Sequence, residues 1–210
     1  MTRVLVKICG VTRPADARML EALDVDVVGL NFVPTSPRFV AAAMAREVAA
    51  AAGHCRLWGV FMDAPAADVR RVLEQVPLDT LQFHGTESPA YCAQFGLPFV
   101  KVVHMADGVD VIAQATAYAE ARMLLLDTSV NGAAGGTGQV FDWRRWPRAC
   151  GLPLMLAGGL TPANVGEAVR RLVPAGVDVA GGVEGSVKGL KDADKCRAFV
   201  AAVRDAQGGG

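Results

Sequence analysis

The chain is short of the features that mark most specialised protein classes. Its five cysteines (Cys9, Cys55, Cys92, Cys150, Cys196) are odd in number, widely spaced and without a C-x-x-C pair. That speaks against a disulfide framework and against a thiolate zinc site, and it fits a reducing cytosol. Charge of one sign is not in excess, since 21 Lys and Arg face 21 Asp and Glu. The basic surface of a nucleic-acid or anionic-lipid binder is therefore not expected. No apolar run approaches the roughly 20 residues of a membrane span, and the first one is broken at Lys7, unlike a signal peptide. No Pro/Ser-rich linker or shift in composition marks a domain boundary. What remains is 210 residues, 52% of them hydrophobic, enough for one large core and too apolar for disorder. The expectation is a soluble cytoplasmic protein, monomer or homodimer, whose partner is a small molecule rather than nucleic acid or membrane.

Short apolar runs alternate with amphipathic stretches along the whole chain. Strands are expected at 4–9, 25–32, 57–61, 80–84, 99–104, 123–128, 154–157 and 177–180. Helices are expected at 15–23, 41–52, 66–75, 89–95, 109–119, 162–172 and 193–206, with a short segment near 141–146. Runs apolar on both faces, separated by helices, indicate a parallel sheet covered on both sides. Eight such units are the number that closes a (β/α)8 TIM barrel; an open doubly wound α/β sheet shares the alternation but not the count. One barrel over 1–207 with a frayed tail at 208–210 is expected.

In such a barrel, chemistry sits at the C-terminal ends of the strands. Those positions carry Lys7 and Cys9, Asn31, His84, Asp127, Gly158 with Gly159, Asp178, and Gly181 with Gly182. Leu5, Lys7 and Cys9 share one face of strand one. Cys9 reads either as a buried structural cysteine or as a general base, with Lys7 as a neighbouring cation that favours the thiolate. Asp127 follows three leucines and must be solvated, paired or functional; across the mouth from Cys9 it suits a general acid. The glycine pairs after strands seven and eight suit a phosphate, held by backbone N–H groups at a helix N-terminus. Arg38 suits a bidentate clamp on a carboxylate, and His84 a hydrogen-bonding role. The small-residue loop 132–138 reads as a lid or a plain linker. His54, His84 and His104 are scattered and suggest no metal site.

The segments Lys7-Ile8-Cys9-Gly10, Ser36-Pro37-Arg38, Gln82-Phe83-His84-Gly85, Leu126-Asp127-Thr128, Gly135-Gly136-Thr137-Gly138, Ala157-Gly158-Gly159-Leu160 and Gly182-Val183-Glu184, taken in order, resemble the phosphoribosylanthranilate isomerase family. The resemblance covers nearly the whole chain. It implies a (β/α)8 barrel that carries out an Amadori rearrangement in tryptophan biosynthesis without metal or cofactor. It further implies Cys9 as base, Asp127 as acid, Arg38 on the anthranilate carboxylate, the glycine pairs on phosphate, and Asp178 near the ribose phosphate. Another phosphosugar isomerase barrel, or a phosphate-binding barrel that has lost catalysis, are the alternatives left open by the residues themselves.

Overall fold

The computed structural model describes residues 3–127, 143–147 and 149–208. Eight parallel strands close into a barrel in sequence order: β1 (Leu5–Cys9), β2 (Val27–Asn31), β3 (Arg56–Phe61), β4 (Thr80–Phe83), β5 (Phe99–His104), β6 (Met123–Asp127), β7 (Leu154–Ala157) and β8 (Gly176–Val179). Among the described residues seven α-helices surround them: α1 (Pro14–Ala22), α2 (Ala42–Ala51), α3 (Ala66–Leu73), α4 (Pro89–Ala93), α5 (Val111–Ala117), α6 (Val165–Leu172) and α7 (Ala193–Gly208). Between β6 and β7 the described element is a 3-10 turn at Trp143–Arg145. The expected loop 132–138 lies outside the described residues.

The sequence places the helix starts by ordinary capping chemistry. Pro14 opens α1, where its missing N–H costs nothing. The Ser88 hydroxyl accepts from the Tyr91 amide ahead of α4, and the Asp110 carboxylate accepts from Ile112 and Ala113 ahead of α5. Helix α6 starts at Val165, three residues later than its composition suggests. Here Asn164 takes the Thr161 amide through Oδ1 and gives Nδ2 to the Gly159 carbonyl, which holds 159–164 as a turn.

Two apolar cores result from the alternation of side chains along each strand. Outward residues pack under the helices; there Phe83 meets Phe61, Tyr91, Phe95 and Phe99. Inward residues Val27, Trp58, Val100, Val102, Met123, Leu125, Met155 and Ala157 fill the cylinder, with Leu5 against them. The barrel is thus packed below and polar at its C-terminal rim, where Cys9, His104 and Asp127 each stand two residues beyond an inward group.

The loop that follows β4 is anchored by a buried ion pair. Lys101 Nζ lies 3.0 Å from Glu87 Oε2 and donates to the carbonyls of Phe83 and Gly85. Glu87 in turn accepts from the backbone amides of Asp63 and Gly85. Both side chains are almost fully shielded, so each charge depends on the other. Glu87→Ala, which strands the Lys101 ammonium, is expected to cost about 3–5 kcal/mol, read as a lowered denaturant midpoint; an unchanged midpoint would show that the pair carries no stability.

Candidate active site

One side of the rim is built by β1, β2 and β8. Lys7 has no exposure to water, and its Nζ lies 2.9 Å from Asp178 Oδ1, its register partner across the β1–β8 seam. The Trp58 ring faces the same ammonium at 5.9 Å from its centroid. Burial works against the Lys7 charge, but attraction and hydrogen bonding from Asp178 outweigh it and raise its pKa. Cys9 stands above this pair, opposite Gly29 in the β1–β2 register. Gly29 has to lack a side chain: a Cβ there would come within 2.9 Å of Cys9 Sγ and 3.0 Å of Lys7 Nζ. The thiol and the ammonium therefore share one small space.

Lys7 favours the Cys9 thiolate as expected, but its pull does not prevail. Burial is the larger influence and pushes the Cys9 thiol above its ordinary pKa; Lys7 pulls it down, and Asp178 opposes that pull. Burial thus favours the thiol form of Cys9 in the free protein.

Next to it is a second charged cluster. Arg38 follows β2 and lies over the end of β1, where a Cβ on Gly10 would collide with its side chain. Its Nε and Nη2 donate to the two oxygens of Glu184 at 2.6 and 2.8 Å, a bidentate pair. The Glu184 Oε1 atom also lies 3.1 Å from Lys191 Nζ, which donates to the Ala180 carbonyl. Lys195 Nζ donates to the Glu184 carbonyl oxygen. Burial disfavours the Glu184 charge, yet the hydrogen bond from Arg38 and the pull of Lys191 outweigh it and hold the carboxyl below its usual range. For Lys191, which shares Glu184 with Arg38, burial wins and the pKa falls.

The opposite side is built by β4, β5 and β6. Asp127 ends β6, its side chain 13% exposed, and its Oδ2 lies 3.5 Å from His84 Nε2. His84 stands immediately after β4, and its amide donates to the Phe61 carbonyl. His104 ends β5 as the register partner of Asp127, and its Nε2 donates to the His84 carbonyl at 2.9 Å. The scattered histidines of the sequence are thus partly gathered: His84 and His104 share one corner, while His54 pairs with Glu21 elsewhere.

The glycine pairs after β7 and β8 adjoin each other, since a Cβ on Gly182 would run into the Leu160 carbonyl. Gly158 and Gly159 have φ of 86° and 63°, successive left-handed residues that glycine adopts without strain. Gly181 and Gly182 open a 3-10 turn. Neither pair lies in the first turn of an α-helix as expected: the Asn164-tied turn separates the first from α6.

The structure therefore brings Lys7, Cys9, Asp178 and Arg38 to one wall, Asp127 and His84 to the other, and the four glycines beside β7 and β8. Sequence reasoning passed over Glu184, Lys191 and His104. The signal for His104 was present, a polar residue ending an apolar strand, whereas the roles of Glu184 and Lys191 depend on how the last loop folds back.

A closed eight-stranded barrel with a polar C-terminal rim defines a (β/α)8-barrel enzyme. The model of the N-(5'-phosphoribosyl)anthranilate (PRA) isomerase family matches residues 6–202. N-(5'-phosphoribosyl)anthranilate isomerase of Pseudomonas fluorescens is 44% identical over 209 residues, 99% of each chain. Phosphoribosyl anthranilate isomerase of Thermotoga maritima has a solved structure that superposes with a TM-score of 0.87 at 31% identity, covering 96% of this chain and 99% of that one. Another solved phosphoribosyl anthranilate isomerase, in complex with reduced 1-(o-carboxyphenylamino)-1-deoxyribulose 5-phosphate, reaches a TM-score of 0.83 at 30% identity over 96% and 99% of the two chains. The chain belongs to the N-(5'-phosphoribosyl)anthranilate isomerase family.

Two measurements check the electrostatics. Thiolate absorbance of the parent minus Cys9→Ser is expected to develop only above about pH 8.5, where an exposed thiol ionises; a step below that value would contradict burial as the dominant influence. A carboxylate held below its usual range lends stability that is full above about pH 4.3 and drains away as pH falls through the depressed value. Glu184→Gln is therefore expected to flatten the acid limb of the stability curve, and a variant as acid-labile as the parent would contradict it.

Proposed function

We propose that the chain converts N-(5-phosphoribosyl)anthranilate to 1-(2-carboxyphenylamino)-1-deoxyribulose 5-phosphate, with Asp127 as proton donor and Cys9 as proton acceptor. The observation that carries this reading is the placing of an aspartate on β6 and a cysteine on β1, strands that are not neighbours in the ring, at the same polar rim. Asp127 protonates the furanose ring oxygen, the bond from that oxygen to C1' breaks, and the anthranilate nitrogen supplies the electron pair of the resulting iminium ion. The positive charge acidifies the proton on C2'. It also favours a thiolate beside it, adding to the pull of Lys7, and the thiol loses its own proton to solvent before it accepts the one on C2'. Cys9 takes the C2' proton, and the enolamine becomes the ketone by gaining a proton at C1' and losing one from the C2' hydroxyl.

The remaining groups bind and orient. Glu184 occupies the Nε–Nη2 edge of Arg38, so the anthranilate carboxylate is read as binding the Nη1 side. Gly158, Gly159, Gly181 and Gly182 are read as the phosphate cradle, where bare backbone N–H groups serve a neutral chain well. Lys7 and Asp178 sit between the base and the ribose phosphate, and His84 orients the Asp127 carboxyl. Phosphate is remote from the bonds that change, so its binding energy is available to hold C2' against the base. The proton taken up by Cys9 is available for return to C1', and the Asp127 carboxylate is available to take the one leaving the C2' hydroxyl, so each side chain ends as it began. A soluble, cytoplasmic enzyme is the setting that fits five unbridged cysteines.

The test is consumption of freshly made phosphoribosylanthranilate. The parent is expected to turn it over, while Cys9→Ala and Asp127→Asn each lose about 10²–10⁴-fold in kcat with KM little changed. Parent-like turnover by either variant would remove that residue from the mechanism.

A further inference from the structure

We propose that His84, His104 and Asp127 form a binding site for a divalent transition metal of the zinc type, and that the bound ion blocks turnover by occupying the Asp127 carboxylate. Among the described residues these are the three metal-ligating groups that come together, one ligating atom of each lying within 4.8 Å of the others. The inhibitory half of the proposal rests on the reading of Asp127 as proton donor; the binding half does not.

The backbone fixes the arrangement. The three residues end consecutive strands or follow them directly, β4, β5 and β6, and the ladder continues past the site through the bond from the Met105 amide to the Asp127 carbonyl. His104 is tied to the His84 carbonyl through Nε2–H, which holds the two rings at 4.9 Å between centroids and 64° between planes. A ligating imidazole commonly has one nitrogen on a backbone carbonyl and the other on the metal. Two ligands at about 2.0–2.1 Å from a tetrahedral ion stand about 3.3 Å apart. The His84 and Asp127 atoms are already at 3.5 Å, and a His104 ligating atom lies within 4.8 Å of both, so small side-chain adjustments bring the set to ligand spacing.

The chemistry of the set selects the ion. Two neutral imidazoles and one carboxylate suit zinc, cobalt or nickel, whereas magnesium and calcium call for more oxygen ligands than the corner offers. His104 is exposed and His84 half-buried, so an ion reaches the corner from solvent and keeps water at its remaining positions. Once bound, it occupies the carboxylate that has to deliver a proton to the sugar, and it stands in the mouth itself.

The experiment is a titration of the whole protein with Zn2+ against a chromogenic chelator, run in parallel with turnover. The parent and Cys9→Ser are expected to bind one ion per chain, with Mg2+ ineffective. His104→Ala is expected to bind about ten-fold more weakly or worse while turning substrate over like the parent in metal-free buffer. Zn2+ is expected to stop the parent, reversibly on adding chelator, at concentrations that leave His104→Ala active. Equal binding by parent and His104→Ala, or loss of binding in Cys9→Ser, would overturn the site. Binding that depends on His104 but leaves the parent at full turnover would overturn the blocking role. Should Asp127→Asn prove fully active, the acid assignment fails by itself, and the Zn2+ titration still decides the site.

Discussion

A fully buried ammonium must meet a carboxylate, and in this molecule that requirement falls at the seam where the barrel closes. Lys7 on the first strand and Asp178 on the last are register partners, 2.9 Å apart, inside a cylinder otherwise packed mainly with apolar side chains. Desolvating both groups is costly, and their mutual attraction at 2.9 Å offsets that cost. The consequence is geometric: the pair sets the floor of the rim at the point where Cys9 stands, and it fixes the field in which that thiol titrates. Were Lys7 unpaired, Cys9 would face a bare cation; paired, it is governed by its burial.

The same logic of shared charge governs the next layer. Glu184 serves Arg38 and Lys191 at once, so the loop after β8 is bound to the loop after β2 across the end of β1. The Arg38 guanidinium is thereby oriented in advance and cannot swing freely. Preorganisation of this kind lowers the entropy lost on binding. The wall formed by β4 to β6 is built differently. There the positions are set by backbone ladders, with the Lys101–Glu87 pair anchoring the loop after β4.

Most of the architecture was legible because it is local. Apolar runs such as those ending at Cys9, Phe83 and Asp127 cannot lie anywhere but in a covered sheet, and their alternation with helices fixed both the count and the closure. Strand ends were legible for the same reason: a polar residue straight after an apolar run stands at the rim. What the chain did not disclose depends on which loops meet. Nothing near Glu184 announces that its carboxylate will be claimed by a residue 146 positions earlier. The meeting of His84 with His104 follows from strand order and register rather than from spacing. The pull of Lys7 on Cys9 was legible from their spacing, whereas the larger effect of burial and the opposing charge of Asp178 follow only from the closed barrel.

The account stands on one claim, that a thiol and a carboxyl act from opposite walls on the same sugar. The most direct measurement is a crystal structure of this chain with a reduced, non-reacting product analogue bound. The account predicts C2' within about 3.5 Å of Cys9 Sγ, the Asp127 carboxyl against the oxygen that closes the ring, and phosphate on the four glycines. A ligand whose ribose touches only one of the two residues, or whose phosphate lies away from β7 and β8, would contradict it.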